Sequence, residues 1–190
     1  YFSSAAVYGE CMGKDFILEP LSPYGWNKRV GEIICEQYST LHGIQCMIVR
    51  PFSCYGPGLQ KQMIWDLSTK LLTKLKVEAF GTGEETRDFV FIDDMVDAIV
   101  FLIDQNWESF RCIDIGKGIP TQIKEVAKLI TEQYGRSNDD IVFTNNTMPG
   151  APLSLVARRK AEALRDFEFK TSLSLGLKKT LSWIQGVSDV

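Results

Sequence analysis

Residues 23–49 read PYGWNKRVGEIICEQYSTLHGIQCMIV. Apolar side chains recur every three or four positions from Trp26 to Leu41, which predicts an amphipathic helix that ends at Gly43. The apolar run 44–49 follows at once and has the length and composition of a buried strand. A helix that leads directly into a buried strand is part of a strand–helix–strand unit, so this stretch predicts an α/β protein with a parallel sheet.

The same alternation continues towards the C-terminus. Further strands are predicted at 77–80, 86–92, 111–115 and 141–144, and further helices at 62–75, 94–104, 121–134 and 173–187. Prolines and glycines predict a loop over 51–58. The residue types that cap helices predict that Asp93 or Asp94 caps one helix and that Thr121 caps the next.

Composition excludes several classes of protein. The 190 residues carry 21 Lys and Arg against 24 Asp and Glu, a net charge of −3, without any basic block, so we expect no nucleic-acid partner. The longest purely apolar run, 98–103, is far shorter than the roughly 18 residues of a membrane span. Five cysteines without a C-x-x-C pair, and the single His42, offer no zinc-ligand spacing, so we expect no metal and a reducing, cytoplasmic location.

Tyr24 and Lys28 form the first chemically suggestive pair. A spacing of four at a helix start places the phenol and the ammonium on one face, one turn apart. A phenol is a weak base at neutral pH, and a nearby ammonium favours its phenolate form. Such a pair can take a proton from a hydroxyl while hydride leaves the same carbon. The spacing alone is not specific, because an amphipathic helix with a solvated surface lysine shows it too.

Four more motifs occur in order around this pair: SSAAVYG at 3–9, RPFSCYGPG at 50–58, FGTG at 80–83 and RDFVFIDD at 87–94. The whole set resembles the extended short-chain dehydrogenase/reductases, specifically the NAD-dependent nucleotide-sugar epimerases and dehydratases. The resemblance runs from Phe2 to about residue 184. It implies the C-terminal part of a Rossmann-like, doubly wound parallel sheet with a smaller α/β substrate-binding lobe. It also implies an enzyme that uses NAD, or NADP.

The resemblance assigns the catalytic roles to three residues. Ser4 resembles the hydroxyl that bridges substrate and tyrosine, Tyr24 the proton-transferring base, and Lys28 the residue that binds the nicotinamide ribose and favours the phenolate. Cofactor contacts are expected from Ser3, Tyr24, Lys28 and Pro51.

Substrate contacts are expected from Ser4 and from three residues further along the chain. Ser53 stands where most relatives carry an Asn that contacts substrate, Phe80 would lie against the nucleotide base, and Arg87 would hold the diphosphate. Plainer interpretations remain for these three: Ser53 could cap a turn, Phe80 could belong to the core, and Arg87 could pair with a surface carboxylate.

Two departures from the family pattern affect the expected function. The G-x-x-G-x-x-G turn that cradles a dinucleotide pyrophosphate does not occur, so on the order of 100 upstream residues are expected, at ~30 per strand–helix unit. Residues 1–52 would then end the Rossmann-like part, and 53–190 would form mostly the substrate lobe with some returning sheet elements. The chain by itself is expected to bind NAD poorly. In addition, Met148 stands about where relatives usually carry an Arg.

The motif before VYG bears on the reaction. The related dehydratases and decarboxylases carry an acidic residue there, whereas this chain has Ala5 and Ala6, which cannot transfer protons. Glu10 follows the motif and would have to fold back. We therefore predict an NAD-dependent nucleotide-sugar 4-epimerase, a homodimer acting on a nucleotide sugar with uridine as the expected base. The alternatives are an NAD(P)H-dependent 4-ketoreductase, a 4,6-dehydratase, and a non-catalytic nucleotide-sugar binding module.

Overall fold

The structure, a computed structural model, describes residues 1–11, 17–107, 109–146 and 149–188. Its helices are α1 (Pro23–His42), α2 (Gln62–Thr73), α3 (Ile92–Ile103), α4 (Ile123–Gln133) and α5 (Leu173–Ser188). Its strands are β1 (Cys46–Pro51), β2 (Ser53–Tyr55), β3 (Val77–Ala79), β4 (Thr86–Arg87), β5 (Phe89–Phe91), β6 (Phe110–Ile115), β7 (Thr121–Gln122), β8 (Ile141–Phe143) and β9 (Ser154–Leu155). Within these described ranges, no helix is long and apolar enough to cross a membrane.

Helix α1 has the boundaries that its sequence dictates. The Ser22 side chain accepts a hydrogen bond from the Gly25 amide, and Pro23 occupies the first turn, where its missing N–H costs nothing. Gly43 ends the helix in the left-handed conformation, with φ 64°.

The main sheet is parallel. Strand β1 pairs with β6, so that Val49 lies opposite Ile113 and Arg50 opposite Asp114, and Phe2 forms a parallel bridge to Val49 on the other side. Successive residues of a strand point to opposite faces. Val49 packs with the apolar face of α3, and Arg50 bonds Glu32 of α1 on the opposite face. Helices therefore cover both faces, which confirms the predicted α/β class with a doubly wound parallel sheet.

A second core lies beyond this sheet. Its strands pair in parallel as β2 with β5 and β3 with β8, and α2, α4 and α5 pack around them. Strand β4 joins β7 antiparallel and β9 in parallel. The boundary predicted at residue 52 falls between β1 and β2, and the division into two parts stays a prediction.

Three local predictions were wrong. The predicted loop 51–58 contains β2, because Ser53–Tyr55 pair with β5. Helix α3 begins at Ile92 without a side-chain cap, and Asp94 instead accepts hydrogen bonds from the amides of Lys170 and Thr171.

The third wrong prediction concerns the start of α4. Thr121 lies in β7, paired with Arg87, rather than at a helix cap. The cap is Gln122, which exchanges hydrogen bonds with Glu125 in a capping box.

Candidate active site

The segment that carries Ser4 and the start of α1, where the predicted catalytic residues lie, approach each other closely. Gly25 in the first turn of α1 packs against the short turn Ala5–Val7 that follows Ser4. A Cβ at Gly25 would lie 2.4 Å from the Ala6 carbonyl oxygen, a distance that no side chain tolerates. The glycine next to Tyr24 therefore lets the start of α1 reach the segment that carries Ser4.

Lys28 ties the same two segments together one turn later. Its Nζ donates to the Phe2 carbonyl oxygen at 2.8 Å and lies 5.8 Å from the centre of the Tyr24 ring. The Tyr24 side chain is 55% exposed. The predicted tyrosine–lysine pair thus forms at the carboxyl edge of the parallel sheet, with the phenol open to a ligand.

The Ser4 backbone is extended, and the Ser4 hydroxyl can still donate a hydrogen bond. This backbone begins the turn Ala5–Val7, and Ser4 Oγ accepts from the Ala6 amide at 3.2 Å. A serine hydroxyl that accepts one hydrogen bond still has its own proton to donate. Ser4 can therefore donate to a bound oxygen.

Ser3 and Pro51, the other predicted cofactor contacts, also lie at this edge. Ser3 is buried, its Oγ donates to Glu32 at 2.5 Å and its amide donates to the Val49 carbonyl oxygen at 2.8 Å, so only its own carbonyl oxygen is available to a cofactor. Pro51 is the last residue of β1 and is half-buried. Their cofactor roles stay predictions.

The predicted substrate residues Ser53, Phe80 and Arg87 share one largely apolar cleft of about 560 Å³. Phe80 is 56% exposed, so it does not belong to the core. The Ser53 amide donates to the Asp88 carbonyl oxygen within the sheet, and its side chain lines the cleft. The structure brings these three residues together.

Arg87 is presented to the cleft without a carboxylate partner in the part of the chain that the structure describes. Its guanidinium donates to the carbonyl oxygens of Thr86 at 2.8 Å and Pro152 at 3.0 Å. Burial lowers the pKa of Arg87, but a guanidinium stays charged in proteins. Arg87 thus places a half-buried positive charge at the cleft wall, near the carboxylates of Glu85 and Glu10, and its guanidinium could hold an anionic group of a ligand.

Glu10 binds the backbone of a segment that forms one wall of this cleft. Its carboxylate accepts from the amides of Leu153 at 2.8 Å and Ser154 at 2.6 Å. The same wall adjoins the start of α1, because a Cβ at Gly150 would lie 2.9 Å from the Leu21 carbonyl oxygen. Ser4, Tyr24 and Lys28 are not among the residues that line the cleft, and the Glu10 carboxylate is occupied by backbone.

Sequence reasoning missed several residues of the site. Gln62, Trp65 and Glu85 also line the cleft. Glu32 accepts a hydrogen bond from Ser3. The only feature of the sequence that could have indicated Glu32 is its position one turn after Lys28, on the same face of the helix. Met148, which stands near the position of a second predicted anion contact, lies outside the described residues.

A parallel sheet with a serine loop at its carboxyl edge and a tyrosine–lysine helix packed on one face defines the short-chain dehydrogenase/reductase class. Within that class, the profile of the NAD dependent epimerase/dehydratase family matches residues 1–116, more than half of the chain. The protein belongs to this family.

Comparisons with individual relatives agree with this assignment. The chain is 30% identical over 192 residues to an uncharacterized UDP-glucose epimerase of Bacillus subtilis, covering 98% of this chain and 60% of the relative. It is 27% identical over 195 residues to the UDP-glucose 4-epimerase of Mycolicibacterium smegmatis, covering 98% of this chain and 62% of the relative. The chain thus spans about three fifths of these relatives.

Among solved structures, the UDP-glucuronic acid 4-epimerase of Bacillus cereus superimposes with a TM-score of 0.86 at 28% identity. The match covers 98% of this chain and 60% of that structure, which contains UDP-glucuronic acid and NAD.

Proposed function

We propose that the protein is an NAD-dependent nucleotide-sugar 4-epimerase. The proposal is supported by the packing of α1, which carries Tyr24 and Lys28, against the segment that carries Ser4, and by a cleft lined by Phe80 and Arg87. The relatives named above are UDP-sugar epimerases, which agrees with this chemistry.

The residues at the carboxyl edge fit the nicotinamide half of a dinucleotide. Lys28 offers an ammonium for ribose hydroxyls beside the exposed Tyr24 ring, and the backbone of Ser3 and the end of β1 border the same space. The glycine-rich pyrophosphate turn does not occur in the 190 residues, so the other half of the cofactor would need residues outside them. NAD, when bound, supplies the acceptor and the donor of hydride at a sugar carbon.

The chain's own residues handle the proton and the substrate. Tyr24 takes the proton of the sugar 4-hydroxyl while C4 is oxidised. It returns the proton to the same oxygen after the keto sugar has rotated in the cleft and C4 is reduced again. Ser4 donates a hydrogen bond to that oxygen, and the Lys28 ammonium lies beside the Tyr24 ring. Arg87 holds the diphosphate and Phe80 lies against the base, so that the nucleotide stays bound while the sugar rotates.

Two features favour an epimerase over a 4,6-dehydratase. Expulsion of water needs an acid near Tyr24, and Ala5 and Ala6 offer none. The Glu10 carboxylate binds the 153–154 backbone instead. A 4-ketoreductase would use the same serine, tyrosine and lysine, and it differs in consuming a nicotinamide cofactor at each turnover.

The cofactor released from the purified full-length protein separates these two reactions. We expect denaturation to release about one NAD(H) per chain, identified by chromatography, because an epimerase regenerates its cofactor within each turnover. A protein that carries no nucleotide and reduces a 4-keto sugar only when NADPH is added would instead be a reductase. A protein that binds no nicotinamide and converts no nucleotide sugar would be a binding module.

We further propose a cytoplasmic homodimer. All five cysteines are free thiols, as expected in a reducing compartment. The outer face of α1 leaves five large apolar side chains at least 44% exposed: Trp26, Val30, Ile33, Ile34 and Leu41. An apolar stripe of this length suits coverage by the same helix of a second copy.

A further inference from the structure

Glu32 is the most completely buried carboxylate on α1, with 1% of its surface exposed. It accepts hydrogen bonds from the Ser3 hydroxyl at 2.5 Å and from Arg50 Nε and Nη2 at 2.7 and 2.8 Å. Arg29 on the preceding turn adds a bond of 3.2 Å. One carboxylate therefore joins three parts of the chain: the segment before Ser4, helix α1, and strand β1.

The charge on Glu32 is maintained by these partners. Burial alone would raise the pKa of Glu32, but the hydrogen bonds from Arg50 and Ser3 lower it below its usual value. A buried ionised pair of this kind contributes little net stability compared with apolar packing. Its ordered hydrogen bonds do fix the geometry of the groups that they join.

The position of Glu32 relates it to the catalytic residues. Lys28 and Glu32 lie one turn apart on α1, and they bind two consecutive residues, Phe2 through its carbonyl and Ser3 through its hydroxyl. The next residue is Ser4. The Ser3 amide also donates to the Val49 carbonyl oxygen at 2.8 Å, so the segment is held on its strand side as well.

We propose that Glu32 is a positioning residue. Through its hydrogen bond to Ser3, Glu32 fixes the position of the Ser4 hydroxyl relative to Tyr24 and Lys28, which lie on the same helix as Glu32. This inference rests on the proposed function, because it concerns the hydroxyl that would contact the sugar oxygen. The hydrogen bonds between Glu32 and Arg50 also hold α1 against the end of β1, next to Pro51.

Ser3→Ala in the full-length protein is the sharpest variant, because it removes the link to Glu32 and leaves the Glu32–Arg50 pair intact. Ser39→Ala is the matched control: Ser39 is also buried, lies on the same face of α1, and donates to the Ser109 carbonyl oxygen at 2.9 Å, away from Ser4. Each variant deletes one hydroxyl hydrogen bond, and we expect the larger decrease in melting temperature for Ser3→Ala, because its acceptor is an ionised carboxylate and that of Ser39 is a neutral carbonyl.

The two variants should differ in kinetics. We expect Ser3→Ala to lower kcat for UDP-sugar epimerisation by about tenfold or more with KM within about twofold, because misplacement of a catalytic group affects the transition state rather than ground-state binding. Ser39→Ala should keep kcat within about twofold. Equal kcat values for the two variants would overturn the proposal.

Hydrogen exchange gives a readout that does not depend on the assigned activity. The Ala6 amide donates to Ser4 Oγ, so its protection reports whether Ser4 is held in place. We expect faster exchange over residues 3–8 in Ser3→Ala and wild-type exchange there in Ser39→Ala. Unchanged exchange in both variants would contradict the positioning role. A wild-type protein that epimerises no nucleotide sugar would refute the proposed function alone, and the exchange result would still decide the role of Glu32.

Discussion

Tyr24→Phe is expected to reduce the turnover of the full-length protein by about 10²- to 10⁴-fold, the usual contribution of a positioned general acid–base group. The substitution removes only the phenolic oxygen, and the 55% exposure of this side chain means that little packing is lost. Substrate affinity should therefore change little. Initial rates over a range of substrate concentrations, with substrate binding measured by calorimetry, test both expectations.

Tyr38→Phe serves as the control for this change. Tyr38 lies on the same helix and is 56% exposed, so its substitution removes a phenolic oxygen from a comparable environment. We expect turnover to stay within about twofold of the wild-type value, as for most exposed substitutions. Turnover of Tyr24→Phe at the wild-type rate would remove Tyr24 from the mechanism.

Arg87→Ala is expected to raise KM for the nucleotide sugar by about 10- to 100-fold, because a charge-assisted hydrogen bond is worth roughly 1.5–3 kcal/mol. The guanidinium would hold the diphosphate equally in the ground state and in the transition state, so kcat should change much less than KM. Steady-state kinetics of the full-length variant measure both quantities.

Arg111→Ala provides the matched control, since Arg111 lies on β6 and does not line the cleft. Its KM should equal that of the wild type. If Arg87→Ala leaves KM unchanged, or if both variants raise it alike, the diphosphate is not held by Arg87. A large loss of kcat in Arg87→Ala would point instead to a contact made only in the transition state.

The sequence predicted the features that depend on local pattern. The Tyr24–Lys28 pair needs only helical spacing, and the structure forms that helix with nearly the predicted ends. Ser53, Phe80 and Arg87 were selected by motif, and the structure brings them to one cleft. Their ligand contacts stay predictions.

The features that the sequence did not predict depend on contacts between distant residues. Asp94 has the residue type and position of a helix cap, yet it binds the backbone of Thr171, 77 residues away. Ser3 has the position of a cofactor contact, yet its hydroxyl is taken by Glu32, 29 residues away. A polar side chain at the end of an element can bond its own backbone or another segment, and only the tertiary fold decides between them.

The fate of a label at the sugar C4 tests the central claim most directly. UDP-glucose and UDP-glucuronic acid, each carrying deuterium at C4, would be incubated with the full-length protein without added nicotinamide, and the products analysed by NMR. A 4-epimerase that returns hydride to the other face of the same carbon predicts, for at least one of these sugars, a C4 epimer that keeps its deuterium at C4. Formation of a 4-keto-6-deoxy product, a requirement for added NADPH, or loss of the label from C4 would contradict the account.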